Sequence, residues 1–95
     1  MSVEPGLRAE VELVVEAADT AEALRSGSVP VLATPRVIAL CEEASMKALE
    51  HQLAAGETTV GVQVQLDHLT PTAIGHHVVA ESTVEKVNGR RITFT

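Results

Sequence analysis

The chain has 95 residues, 45% of them hydrophobic, with seven basic against thirteen acidic side chains and a formal net charge of −6. That balance describes one small globular domain rather than a disordered chain, and argues against non-specific binding to nucleic acid or an anionic membrane. Cys41 is the single cysteine, so no internal disulfide forms; MSVEPGLRAE lacks the apolar core of a signal peptide, no apolar run approaches ~18 residues, and the expected compartment is the cytoplasm.

Phe94 is the only aromatic residue, so the core must be aliphatic, and so small a core gains from self-association. Residues 7–15 alternate: Leu7, Ala9, Val11, Leu13 and Val15 share one face, with Arg8, Glu10 and Glu12 on the other. This pattern predicts a half-buried strand. DTAEALR at 19–25 predicts a short helix capped by Asp19, and SGSVP at 26–30 a loop. Thr34 suits a helix N-cap and Pro35 the first helical position. From Arg36 to Leu53 there is neither Gly nor Pro, and Val37, Leu40, Cys41, Ala44, Ala48 and Leu49 recur at helical spacing. A long helix is therefore expected, about 28 Å in length, ending before Gly56.

Residues 58–69 alternate again, with Val60, Val62, Val64, Leu66 and His68 on one face and Gly61, Gln63, Gln65 and Asp67 on the other; a second strand is expected, followed by a turn over TPTAIG. Residues 77–87 predict a third strand with Val78, Ala80, Ser82 and Val84 inward. Asn88-Gly89 is a hairpin signal, and Ile92 and Phe94 begin a fourth strand. A long helix on an antiparallel sheet is an α+β architecture.

Few residues carry chemistry. His68 is either a hydrogen-bonded core residue or a general base in a pocket. Glu42 and Glu43 are either a solvated pair or, for Glu42, a carboxylate at the margin of the buried face, suited to nucleophile or base work. Thr34 caps the helix, or its hydroxyl and the first-turn amides hold a developing oxyanion. His51, His76 and His77 have no metal-ligand spacing, and Cys41 falls on the apolar helix face. There is no nucleophile elbow, P-loop or dinucleotide-binding glycine pattern. Arg90 and Arg91 flank the hairpin turn, as solvated charges or as contacts to a cofactor phosphate.

Together, VLATPRVIALCEEAS (31–45), TTVGVQVQLDHLTPTAIG (58–75) and NGRRITF (88–94) resemble the fluoroacetyl-CoA thioesterase-like family of hotdog-fold proteins. The resemblance implies a hotdog fold, a long central helix packed on an antiparallel sheet, and hydrolysis of a small acyl-CoA. It implies Thr34, Glu42 and His68 as the catalytic set, with Gly61, Pro35 and Arg36 as candidate substrate-binding positions. No metal or redox cofactor is expected, coenzyme A being part of the substrate. It further implies a homodimer or dimer of dimers with sites between subunits. Eight helical residues place Glu42 about 12 Å along the axis from Thr34, so either a loop folds back or a second chain completes the site. Family members continue further, with closing strands and a G-x-H-x-R-like segment, and the domain is expected to be C-terminally incomplete. The resemblance does not carry over selectivity for a fluorinated acyl group. Two other readings stay open: a non-catalytic hotdog domain binding acyl-CoA or another small ligand, and an assembly subunit pairing through the sheet edge near Thr95.

Overall fold

The computed structural model describes residues 2–95. Strand β1 (Arg8–Val14) is followed by a 3-10 turn at Ala17–Asp19, helix α1 (Thr34–Ala48), strand β2 (His77–Asn88) and strand β3 (Arg91–Phe94). The strands form one antiparallel sheet in the order β1-β2-β3. β1 pairs with the first half of β2, from Arg8 against Thr83 to Val14 against His77. The alternation read from the sequence is kept: Ala9, Val11 and Leu13 are half-buried and their neighbours exposed, while Ala80, Ser82 and Val84 point inward on β2.

The helix covers the inner sheet face in two clusters. Leu40 and Ala44 meet Ala80, flanked by Val11, Leu13 and Val78. Leu49 meets Val3 and Val84, flanked by Leu7, Leu53, Val87, Ile92 and Phe94. Between them, the Ser45 hydroxyl donates to the Cys41 carbonyl at 2.8 Å and lies 2.7 Å from the Ser82 hydroxyl. Because the single Ser45 proton is taken, Ser82 donates to Ser45, and the buried Ser82 is satisfied without water.

The structure corrects six expectations, the sixth being the helix cap that lies at the candidate site. The helix ends at Ala48 rather than near Leu53: Leu49 is drawn into the Val3–Val84 cluster and the chain turns at His51, whose φ is 67°. The expected helix at 19–25 is a run of turns opened by Thr20, whose hydroxyl accepts the Ala23 amide at 3.2 Å. The hairpin loop is Gly89-Arg90, since Asn88 pairs with Arg91; glycine at the first loop position, with φ 65°, is what a type II′ turn needs. Cys41 is exposed rather than core.

The fifth correction matters most for function. Residues 58–69 form no strand. Alternation alone does not make a strand, because a strand needs a neighbour to complete its hydrogen-bond ladder. Here the segment runs beside α1 instead, in the opposite direction, with Gly61 near Glu42 and His68 near Thr34. Gly61 and His68, which strand parity set on opposite faces, both come up to α1 in this arrangement.

Candidate active site

Three short stretches position the start of α1. Residues 31–33 lie between residues 19–21 and residues 72–73. On one side the Ala21 amide donates to the Val31 carbonyl (2.8 Å) and the Ala33 amide to the Asp19 carbonyl (2.9 Å). On the other, the Leu32 amide donates to the Thr72 carbonyl at 2.8 Å, and Val31 bridges Ala73. Leu32 and Ala33 are buried, at 2% and 0% exposure. The chain thus enters the helix from a strap held on both edges.

That entry places Thr34 one position further along than expected. Ala33 is the N-cap, with extended φ and ψ, and makes no side-chain cap. Thr34 is the first helical residue and Pro35 the second, where the missing amide of proline costs nothing. The Arg36 and Val37 amides both donate to the Ala33 carbonyl, at 3.0 and 3.1 Å. Released from capping, the Thr34 hydroxyl lies 2.8 Å from Nδ1 of His68. His68 reaches it because residues 68–71 lead directly into the stretch pinned to Leu32.

Thr34 and His68 open onto a cleft of about 280 Å³. Its walls come from the 21–32 loop, including Ala21, Gly27, Val29 and Leu32, and from Leu69 and Pro71. The lining is mostly small and apolar, with Ser26, Thr34, His68 and Thr70 as its polar groups, a common arrangement in small-molecule sites.

Glu42 lies two turns along α1, exposed on its outer face. A Cβ built on Gly61 would meet Glu42 Oε2 at 3.0 Å. Gly61 thus allows the backbone to approach the carboxylate. The adjacent Glu43 turns elsewhere, toward Glu10, Glu12 and Lys47 beside β1. One chain therefore brings together Thr34 with His68, and Glu42 with Gly61. The axial separation of about 12 Å keeps the two pairs apart, and among the described residues no loop folds back to join them.

Arg36 turns away from the cleft to Asp19: its Nε donates to Oδ1 at 2.9 Å. The other oxygen, Oδ2, accepts the Glu16 amide at 2.8 Å. That backbone hydrogen bond, aided by the Arg36 guanidinium, holds the Asp19 carboxyl below its ordinary pKa of 3.8 against the opposing effect of burial. Sequence reading gave Asp19 only a local capping role, since a pairing across seventeen positions has no local signature. A carboxyl lowered in the fold stabilises the protein fully above its unfolded pKa, and that contribution is lost as pH falls through the folded value. The stability difference between wild type and Asp19→Asn in urea should accordingly be largest near neutral pH. It should shrink below about pH 4; a difference constant with pH would contradict the pairing.

A family model described as fluoroacetyl-CoA-specific thioesterase matches residues 15–95. No curated protein sequence matches the chain. Among solved structures, a mutant of the fluoroacetyl-CoA thioesterase in complex with acetyl-CoA superposes with a TM-score of 0.90 at 26% identity, over 97% of this chain and 74% of that one. Another mutant of that enzyme, in complex with fluoroacetate and CoA, gives 0.88 at 28% identity, over 97% and 78%. A thioesterase superfamily member from Thermus thermophilus gives 0.84 at 31% identity, over 94% and 66%. One helix on an antiparallel sheet, with these neighbours, is a hotdog fold. The chain belongs to the fluoroacetyl-CoA-specific thioesterase family.

Proposed function

We propose that this protein hydrolyses the thioester of a small acyl-CoA, releasing the free acid and coenzyme A. The observation that carries the proposal is the Thr34–His68 hydrogen bond in the lining of a small, mostly apolar cleft. The cleft takes the acyl group, and its volume suits a short chain. The Thr34 amide, the first of the helix, and its hydroxyl hold the carbonyl oxygen where negative charge develops. Glu42 takes a proton from the water that attacks the carbonyl carbon, or itself attacks to form a mixed anhydride that water then cleaves to the free acid and Glu42. The carbon–sulfur bond then breaks, and His68 delivers a proton to the departing thiolate. The reaction draws on these groups and water, without a metal or redox cofactor.

The separation of Glu42 from Thr34 and His68 assigns them to one centre only if two chains combine. A dimer also accounts for the apolar exposure along 58–69, where Val60 and Val62 are 80% and 73% exposed. Such surface on backbone without a strand partner is suited to burial against a second copy. Charge placed there, as in Val62→Lys, should convert the dimer to monomer by sedimentation and abolish turnover together. An active monomer would contradict a shared site.

Gly61 gives a sharper test of the Glu42 position. Gly61→Ala should lower kcat by about tenfold, since the new methyl pushes the carboxylate aside. Unfolding temperature should stay near wild type, because the displaced atom ends a flexible side chain. Wild-type kcat would show that the Glu42–Gly61 approach plays no part. For the activity itself, thiol release from a panel of acyl-CoAs of increasing chain length should be fastest for the shortest. Binding of acyl-CoA with no thiol released in any case would instead support a non-catalytic binding domain.

A further inference from the structure

We infer that Asp19 and Arg36 are positioning residues that set the Thr34 hydroxyl on His68, an inference that rests on the catalytic reading of that pair. Asp19 grips both sides of Thr34. Its backbone carbonyl accepts the amide of Ala33, immediately before Thr34, at 2.9 Å. Its carboxylate accepts Nε of Arg36, two residues after, at 2.9 Å. The threonine is thus fixed from behind and ahead by one residue of another segment. Within that segment Asp19 Oδ2 accepts the Glu16 amide at 2.8 Å, which orients the carboxylate. The segment is anchored through Val15, whose amide donates to the His76 carbonyl at 2.9 Å and whose carbonyl accepts the Gly75 amide at 2.8 Å.

The pair is built to hold an orientation. Its side chains are only 26% and 13% exposed, for Arg36 and Asp19, which lessens screening and limits the rotamers each can reach. The carboxylate serves two N–H donors with two oxygens, a task asparagine cannot perform: its single oxygen can satisfy one donor, and its NH₂ then faces the other. Arg36 reaches Asp19 from the first turn of α1, so the bond also fixes the rotation of that turn about the helix axis. A rotation there swings the Thr34 hydroxyl off Nδ1 of His68, whose own position is set from the other edge of the strap, where the Leu32 amide donates to the Thr72 carbonyl.

The test uses Asp19→Asn and Arg36→Gln in the full chain, with Thr34→Val as the reference for a missing Thr34–His68 bond. Two readouts are taken: steady-state kcat and KM on the shortest acyl-CoA turned over, and the ¹H–¹⁵N imidazole signals of His68. Both variants should lower kcat by about tenfold or more, with KM within about a factor of two. Both should move the His68 signals toward those of Thr34→Val, and Arg36→Lys should lie between Arg36→Gln and wild type. Arg36→Gln retains the Asp19–Glu16 bond, so it decides alone if Asp19→Asn loses the fold. His68 signals unchanged from wild type in Arg36→Gln would overturn the inference. So would a raised KM at wild-type kcat, which would make Arg36 a substrate contact. If wild type releases no thiol, the functional reading fails, while the His68 signals still report on positioning.

Discussion

A Glu42→Gln protein should release thiol from acyl-CoA at least about a hundredfold more slowly than wild type, while unfolding at the wild-type temperature. The side chain is exposed on α1, and the substitution keeps its shape. Whatever is lost must therefore be lost in the reaction, where a neutral amide neither attacks a carbonyl nor takes a proton from water. Glu43→Gln is the internal control. It changes the same charge one residue away, but on the side facing Glu10, Glu12 and Lys47, and should leave turnover within about a factor of two. His68→Ala should match Glu42→Gln in severity, since the thiolate then departs without a proton donor. Equal losses in the two glutamate variants would point to general charge effects and contradict the assignment.

Leu40→Ala should destabilise the fold by about 2–5 kcal/mol, a large share of the roughly 5–15 kcal/mol that holds a domain together. Leu40 is 2% exposed and among the largest fully buried side chains. Its neighbours explain the expected severity. Ala44 and Ala80 are too short to move into the gap, and Val11, Leu13 and Val78 are fixed at χ1 or tied to the β1–β2 ladder. The cavity would stay open beneath the helix that carries Thr34 and Glu42. Denaturant unfolding reads the loss directly, and a change below about 1 kcal/mol would show that the core is not centred on this contact.

The fold was legible where one face meets the core. Alternation in β1 and β2 follows burial because each strand has a partner on the sheet and α1 above it. The same alternation in 58–69 misled for a physical reason: Val60, Val62 and Val64 match a strand, but among the described residues no strand pairs with them. Helix ends were less legible than the helix itself. Thr34 and Pro35 read as a cap and first residue, whereas the strap at 31–33 shifts the helix start by one position. That shift frees the threonine hydroxyl for His68. The family resemblance named Thr34, Glu42 and His68 together, and the structure places the first and last in contact. Asp19 and its hold on Arg36 were invisible in sequence, because the contact joins a turn to a helix through a loop.

Mixing subunits tests most directly whether these residues form one centre. Glu42→Gln and His68→Ala proteins, each inactive alone, are unfolded together and refolded at equal concentration. If Glu42 of one chain serves Thr34 and His68 of the other, half the dimers are mixed and each has one complete site of two. Thiol release should then recover to about a quarter of wild type. No recovery from mixed dimers of confirmed composition would place all three residues within a single chain and contradict the account.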